Sequence, residues 1–309
     1  MSERIYPPLP EFTNSAVIKE DEYLSMLKLS RNDPDRFWRD QGKSLDWIKP
    51  YSKVKNTNYS YPNISIKWFE DGILNVCENC LDRHLAKKGD QVAIIWEGDE
   101  PTENKYITYN EVHRHVSKLA NAYKSLGVKK GDRVIIYMPM IPEATYAMLA
   151  SARIGAIHSV VFAGFSPEAL RARILDCEAS LVITADEAPR GGKITALKSN
   201  VDQAVADLTS LKTIVVKRTG AAVPMVEGRD YGYDELLQKC SPDCPPEPMN
   251  AEDPLFILYT SGSTGKPKGV QHSSAGYLLY ASLTHKYIFD YKEDDVFWCT
   301  ADVGWITGH

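Results

Sequence analysis

The stretch that decides the fold spans residues 255–270 and reads LFILYTSGSTGKPKGV. Its first five residues are bulky and apolar, which is typical of a buried β-strand. Three glycines follow, and they free the backbone to curl so that several N–H groups can point at one anion. Hydroxyl side chains and two lysines add further donors. Because each donor to a charged oxygen contributes roughly 1.5–3 kcal/mol, the stretch predicts a strand that ends in a phosphate-binding loop.

The loop does not fit the kinase and GTPase type of phosphate loop, G-x-x-x-x-G-K-[ST]. Position 260 is Thr where that pattern requires Gly, and Lys266 is followed by Pro267, which has no N–H to donate. The alternative is a flexible linker between domains. Linkers are rarely bracketed by a buried strand and a helix-like segment, or rich in alternating lysines. We therefore favour an anion site.

The loop closely resembles the signature of the adenylate-forming enzymes, [ST]-S-G-[ST]-T-G-x-P-K-G, and residues 260–269 meet every position. This family includes acyl-CoA synthetases, peptide-synthetase adenylation domains and luciferases. The resemblance implies that the loop wraps the β- and γ-phosphates of ATP. The residues implied to bind these phosphates are Thr260, Ser261, Gly262, Ser263, Thr264, Gly265, Lys266 and Lys268. Among them, Thr260, Lys266 and Lys268 are implied to be catalytic.

Length and composition are those of an ordinary globular protein, with 309 residues, 43% hydrophobic and 25% charged, enough for roughly two domains. A net charge of -5 argues against nucleic acid as a partner. No secretory leader follows Met1, and the longest apolar tract, 147–165, is interrupted by Arg153, Gly155 and His158. We therefore predict a cytoplasmic protein whose partners are small molecules, without nucleic acid or membrane, and leave its oligomeric state open.

The six cysteines are expected to be reduced thiols. A four-thiolate zinc site from the pairs Cys77/Cys80 and Cys240/Cys244 is the alternative. The first pair lies in a helix-like segment and the second among prolines, and nothing in the sequence brings them together. The histidines fall at no ligand spacing, and His113 and His115 are both interpreted as surface residues. No metal-ligating residue is therefore predicted.

From about residue 90 the pattern alternates between strand and helix. A capping box at 108–111 opens one helix, Pro142 opens the next, and Ser166 caps a third. Such alternation predicts an α/β fold, a doubly wound parallel sheet whose ligands bind at the carboxyl ends of the strands. A helix is expected at 274–285. The strands are predicted at 92–96, 134–137, 157–162, 181–184, 213–216, 255–259 and 296–299.

Residues 33–38 (DPDRFW) and 45–50 (LDWIKP) resemble the N-terminal extension of the acetyl-CoA synthetase group. Their aromatic content indicates that the extension packs against a larger body and does not form a disordered tail. We predict an extension over residues 1–88 and a first α/β subdomain, on the CoA nucleotide side, over 89–250. The start of a second α/β subdomain, with a new sheet and the phosphate loop, is predicted over 251–309.

Two segments follow predicted strands at the edge where ligands are expected. On the residues alone, the cations of 190–193 (RGGK) fit a solvated turn as well as a ligand site. Segments 162–166 and 190–193 resemble F-[GA]-G-F-S and R-x-G-[KR], which bind CoA in acetyl-CoA synthetases. The resemblance implies that the cations bind its 3′-phosphate and that the phenylalanine borders its adenine. The implied residues are Phe162, Gly164, Arg190, Gly191, Gly192 and Lys193.

Residues 300–309 (TADVGWITGH) resemble the family segment T-A-D-x-G-W-[VI]-T-G-H. The alternative is a buried strand-to-loop passage, since Trp is more often in a core than in a site. The resemblance implies that Trp305, Ile306 and Thr307 line the acyl pocket and that Thr307 also meets the thiol arm of CoA. Thr307 favours acetate over propionate, although one methylene contributes only roughly 1–3 kcal/mol.

The resemblance implies an AMP-forming ligase that uses ATP, CoA and Mg²⁺ to convert acetate into acetyl-CoA through acetyl-adenylate. It also places an adenine-binding loop, a ribose-binding aspartate and an essential lysine beyond residue 309. We therefore expect an N-terminal portion, truncated before the C-terminal domain and inactive alone. The alternatives are a non-catalytic CoA- or nucleotide-binding fragment, and a ligase for another short-chain acid such as propionate.

Overall fold

The computed structural model describes residues 6–100, 102–260 and 265–309. The strands are β1 (Lys55–Asn58), β2 (Ser65–Trp68), β3 (Ile73–Leu74), β4 (Val92–Glu97), β5 (Asn104–Thr108), β6 (Arg133–Tyr137), β7 (Ile157–Val160), β8 (Leu181–Ala185), β9 (Ala188–Arg190), β10 (Lys193–Thr195), β11 (Lys212–Val216), β12 (Asp230–Gly232), β13 (Met249–Asn250), β14 (Pro254–Thr260) and β15 (Lys268–Ser273). The helices are α1 (Pro10–Ser15), α2 (Glu20–Asn32), α3 (Pro34–Gly42), α4 (Arg83–Lys88), α5 (Tyr109–Ser125), α6 (Pro142–Arg153), α7 (Pro167–Asp176), α8 (Leu197–Ala204), α9 (Tyr233–Gln238) and α10 (Ser274–Tyr287). A π-helical turn, Glu78–Asp82, leads into α4.

One seven-stranded sheet forms the centre of the fold, in the order β12-β11-β8-β6-β7-β14-β15. Its neighbouring strands are parallel except β14 and β15, which are antiparallel. The chain leaves β6 for β7 on one side and then crosses to β8 and β11 on the other. This order confirms the predicted doubly wound α/β fold and places its topological switch point between β6 and β8.

Local signals place most of the elements. The Thr108 side chain accepts from the Glu111 N–H and the Glu111 carboxylate accepts from the Thr108 N–H, so the predicted capping box opens α5. Pro142 opens α6, and the Ser166 hydroxyl accepts from the Ala169 N–H at the start of α7. Strands β6, β7 and β8 are buried on both faces, which explains their continuous apolar runs.

Two strand predictions required correction. The segment at 92–96 forms β4, but it pairs antiparallel with β5 in a hairpin outside the main sheet. The prediction of a buried strand at 296–299 is wrong, because this part of the described chain has no strand and Val296 and Trp298 are 74% and 82% exposed. An apolar run indicates that a segment can form a strand, but not that a free sheet edge is available to it. Beside β14 that edge is occupied by β15, which the sequence did not predict.

The strand before the phosphate loop does not open a new sheet as expected. It is β14, whose Phe256 pairs with His158 of β7, and it therefore extends the central sheet. A buried apolar run predicts a strand but leaves its neighbours undetermined. The proposed division of the chain at residues 88/89 and 250/251 remains a prediction.

The N-terminal segment packs on the rest of the chain, as its aromatic content indicated. Leu45, Val54 and Phe69 share a buried cluster with Ala275 and Leu279 of α10. The rings of Trp38 and Trp68 pack edge to face nearby, with centroids 5.8 Å apart. None of the helices described here is long and apolar enough to span a membrane.

Candidate functional site

A cavity of about 230 Å³ opens at the carboxyl edge of the central sheet. Its walls come from the segments that follow β6, β7 and β8, including Met140, Phe162 and Arg190. The β4–β5 hairpin contributes Trp96, and Asp302 closes the opposite side. Because β6 and β8 flank the topological switch point, the cavity lies where an open α/β sheet binds its ligands.

A two-residue hairpin carries the predicted phosphate cations. Arg190 ends β9 and Lys193 opens β10, and the two are cross-strand partners. The turn consists of Gly191 and Gly192, whose φ angles of +57° and +73° favour glycine. The Gly191 N–H donates to Asp99 Oδ2 at 2.6 Å, which ties this turn to the β4–β5 hairpin. The structure therefore brings both cations together at one end of a constrained turn.

An aromatic cluster surrounds Phe162, which lines the cavity. The Arg190 guanidinium lies over the Phe162 ring, 5.1 Å from its centroid. Trp305 packs edge to face on the same ring with centroids 4.9 Å apart, and Phe165 does so at 5.6 Å. A Cβ atom at Gly164 would lie 2.4 Å from Phe162 Cε1, so a side chain there would displace the ring. These contacts join residues predicted for CoA and for the acyl pocket.

The rest of the predicted acyl pocket lies in the same segment. Ile306 and Thr307 are exposed, and the Thr307 carbonyl accepts a 3.4 Å hydrogen bond from the Cys299 thiol. Asp302 Oδ1 accepts from the Gly304 N–H at 2.8 Å, which shapes the turn before Trp305. Trp305 is therefore the predicted pocket residue that this turn presents to the aromatic cluster.

The phosphate loop connects two antiparallel strands, β14 and β15. Thr260 ends β14 opposite Lys268, which opens β15, and Gly265 has φ +78°. The expected helix follows only after β15, as α10. Lys266 and Lys268 are exposed and form no ion pair with any residue that the structure describes, which leaves both charges available to an anion. Four predicted phosphate ligands lie outside the described residues: Ser261, Gly262, Ser263 and Thr264.

The sequence analysis did not predict a histidine pair beside Phe256 of β14. The Nε2 atoms of His158 and His309 lie 2.9 Å apart, and His309 Nδ1 is 3.1 Å from the Val303 carbonyl oxygen. A carbonyl only accepts, so His309 carries its proton on Nδ1 and its Nε2 accepts from His158 Nε2–H. The His309 ring also packs against Phe256, with centroids 4.1 Å apart. The two histidines are 151 positions apart, so no local spacing could have indicated the pair.

This pair predicts a loss of stability in mild acid. Burial lowers the pKa of His309 to about 4 and also holds the pKa of His158 well below its usual value, so folding favours the neutral rings. The contribution of His309 is complete above about pH 6.5 and is lost as the pH falls to about 4, a change of roughly 3 kcal/mol. Urea unfolding at several pH values measures this change in the wild type and in His309→Phe. The free energy of unfolding should fall less steeply with decreasing pH in the variant. Equal slopes for the two chains would contradict this expectation.

A buried ion-pair network was also missed. Arg153 is 3% exposed and donates to Asp82 Oδ2 and Oδ1 at 2.8 and 2.9 Å. His113 Nε2 is 3.3 Å from Asp82 Oδ1, so the interpretation of His113 as a surface residue is wrong. The Arg153 side chain also donates to the Cys77 sulfur and the Cys244 carbonyl. Interactions among these separate segments are not encoded by local spacing.

One cysteine of each candidate pair therefore contacts the same arginine, Cys77 through its sulfur and Cys244 through its backbone carbonyl. Burial raises the pKa of the Cys77 thiol to about 12, which keeps it protonated. Among the described residues, no group of three or more His, Cys, Asp or Glu side chains could hold a metal ion. No ligand set for zinc or magnesium is assigned to these residues.

Comparison with known proteins places the chain in a family. The model of the AMP-binding enzymes matches residues 81–309, and that of the acetyl-coenzyme A synthetase N-terminus matches residues 23–80. With a doubly wound sheet and a phosphate-loop hairpin, the chain belongs to the AMP-binding enzyme family. The matched N-terminal segment is the one predicted from residues 33–50.

Curated proteins similar to this chain include several acetyl-coenzyme A synthetases. Identity is 59% with those of Methylocella silvestris and Parvibaculum lavamentivorans and 58% with that of Brucella suis. Each match covers 100% of this chain and 48% of the relative, so the chain spans about half the length of the curated relatives it matches. An acetoacetyl-CoA synthetase structure from Streptomyces lividans has a TM-score of 0.84 at 27% identity, covering 94% of this chain and 44% of that one.

Proposed function

We propose that the chain forms the CoA-nucleotide and phosphate-loop part of an AMP-forming acetate–CoA ligase. The observation that carries this proposal is the Arg190–Lys193 hairpin: its two cations are cross-strand partners, and the Arg190 guanidinium lies over the Phe162 ring at the ligand edge of the sheet. A phosphomonoester carries a charge near two, which a pair of cations complements. An adenine ring would pack against Phe162. Identity with acetyl-coenzyme A synthetases supports acetate as the acid.

The reaction has two steps. An acetate oxygen attacks the α-phosphorus of ATP and pyrophosphate leaves; the CoA sulfur then attacks the acyl carbon and AMP leaves. Neither step requires a nucleophilic side chain, so the protein contributes positioning and charge stabilisation. We assign that role to Thr260, Lys266 and Lys268 on the phosphate loop. Mg²⁺ bound with ATP would neutralise phosphate charge, and we assign it no ligand among the described residues.

The acid is selected, in this proposal, by the segment 305–307. Trp305 packs on Phe162 and so lies between the CoA region and the acyl pocket. Thr307 follows two residues later and favours the smaller acid. With one methylene contributing roughly 1–3 kcal/mol, we expect acetate to be preferred over propionate by a modest factor.

The 309-residue chain alone is expected to release no pyrophosphate in response to acetate and ATP. The chain spans about half the length of its relatives, and the resemblance places further ATP-binding residues outside it. A coupled pyrophosphate assay measures turnover, and calorimetric titration with CoA on the same sample measures binding. Ordinary turnover would contradict the expectation. CoA binding without turnover supports it, whereas absence of CoA binding would contradict the proposed nucleotide site.

A further inference from the structure

The hairpin that carries the two phosphate cations has little support of its own. Strands β9 and β10 contain three residues each and form a separate two-stranded sheet. A two-stranded hairpin of this kind is only marginally stable in water. Within the described part of the chain, neither Arg190 nor Lys193 forms an ion pair. The orientation of both cations therefore depends on contacts that the hairpin makes with other segments.

One such contact is made by the backbone of the turn. The Gly191 N–H donates to Asp99 Oδ2 at 2.6 Å, and Asp99 is an exposed residue between β4 and β5. A hydrogen bond to an ionised acceptor is stronger than one to a neutral acceptor. A carboxylate that only balanced charge would pair with a cation, yet Asp99 binds the backbone between the two cations. This contact therefore acts on the geometry of the turn.

The β4–β5 hairpin is itself attached to the central sheet. Trp96 Nε1 donates to the Met140 carbonyl oxygen at 2.8 Å, in the segment that follows β6. The Glu103 carboxylate accepts two hydrogen bonds of 2.6 Å from the guanidinium of Arg218, which lies after β11. Asp99 is therefore an acceptor on an element that is anchored beside the ends of β6 and β11.

We propose that Asp99 is a positioning residue that orients the Arg190–Lys193 hairpin for the 3′-phosphate of the nucleotide. The proposal rests on the function proposed above and deepens it. The hydrogen bond to Gly191 restricts the turn, so the two cations lose less conformational entropy when the phosphate binds. The negative charge of Asp99 opposes an anionic ligand, but solvent screens this exposed carboxylate. The effect of positioning therefore exceeds that of charge.

The test is calorimetric titration of the 309-residue chain with adenosine 3′,5′-bisphosphate at constant salt. Asp99→Ala removes the acceptor and should raise the Kd about fivefold. Asp99→Asn keeps a carbonyl acceptor and should stay within about twofold of the wild type. The matched control is Glu100→Ala, which removes an exposed carboxylate at the next position and should also stay within about twofold.

Two further measurements separate the orientation of the cations from a general effect on the chain. Asp99→Ala should bind 3′-dephospho-CoA, which lacks the phosphate assigned to the hairpin, within about twofold of the wild type. In a chain that already carries Arg190→Met and Lys193→Met, Asp99→Ala should have no further effect, because the cations it positions are absent. Far-UV circular dichroism establishes that each variant is folded.

An unchanged Kd for adenosine 3′,5′-bisphosphate in Asp99→Ala overturns the positioning role while the binding site stands. Equal affinities of Asp99→Ala and Asp99→Asn overturn it as well, because the retained acceptor would then have no effect. An equal loss with 3′-dephospho-CoA, or in the chain without the two cations, has the same consequence. If the wild type does not bind adenosine 3′,5′-bisphosphate, the proposed function fails and the inference fails with it.

Discussion

Replacing Arg190 and Lys193 together by methionine is expected to weaken binding of adenosine 3′,5′-bisphosphate about 100-fold, or ~2.7 kcal/mol. The two residues are cross-strand partners and Arg190 lies over Phe162, and each charged hydrogen bond to phosphate contributes roughly 1.5–3 kcal/mol. Full additivity is not expected, because the exposed cations are screened by solvent. The glycine turn between them is unchanged. Calorimetric titration at constant salt measures the effect.

The control for this prediction removes equal charge elsewhere. Lys28→Met with Arg31→Met, on the exposed face of α2, should leave the affinity unchanged. A second comparison uses 3′-dephospho-CoA, which lacks the phosphate assigned to the hairpin. The wild type and the Arg190/Lys193 variant should bind it within about threefold of each other, a difference below 1 kcal/mol. A 100-fold difference with this ligand as well would contradict the 3′-phosphate assignment.

Replacing Arg153 by methionine is expected to lower the free energy of unfolding by about 3–5 kcal/mol. Arg153 is almost fully buried and holds Asp82 through two hydrogen bonds, while its Nε donates to the Cys244 carbonyl. Its loss leaves a partly buried carboxylate without its main partner and removes the link from α6 to the π-helical turn and to the loop at Cys244. Urea unfolding followed by circular dichroism measures the change.

The matched control is Lys217→Met, which breaks the exposed pair with Glu235 at 3.4 Å. Pairs of this kind contribute at most about 1 kcal/mol, so little change is expected.

Acid provides a further check. Burial opposes ionisation of Asp82, but hydrogen bonds from His113 and Arg153 hold its pKa below the usual range. Its stabilising effect is present above about pH 4 and is lost as the pH falls below that value. A change below 1 kcal/mol in Arg153→Met at neutral pH would contradict the role of the network.

Local chemistry in the sequence determined most of the elements and the composition of the candidate site. Some signals act over only a few residues, so the elements they define can be predicted from the sequence. They are the capping box at Thr108, Pro142 at a helix start and the apolar runs of β6 to β8. The same holds for the glycine turn at 191–192, which folded as two adjacent glycines favour, and for the doubly wound order of strands and helices. The family resemblance of residues 260–269 likewise depends on contiguous residues.

Only the tertiary structure decided which distant segments meet. Phe256 joins His158 in the central sheet, β15 takes the edge beside β14, and the apolar segment at 296–299 forms no strand. The same is true of the His158–His309 pair and of the Asp99 contact with Gly191. Apolar patterning indicates that a segment can be buried, but the partner depends on which edges and faces the remaining chain leaves free. The partner of each apolar segment is therefore determined non-locally, by the packing of the whole sheet.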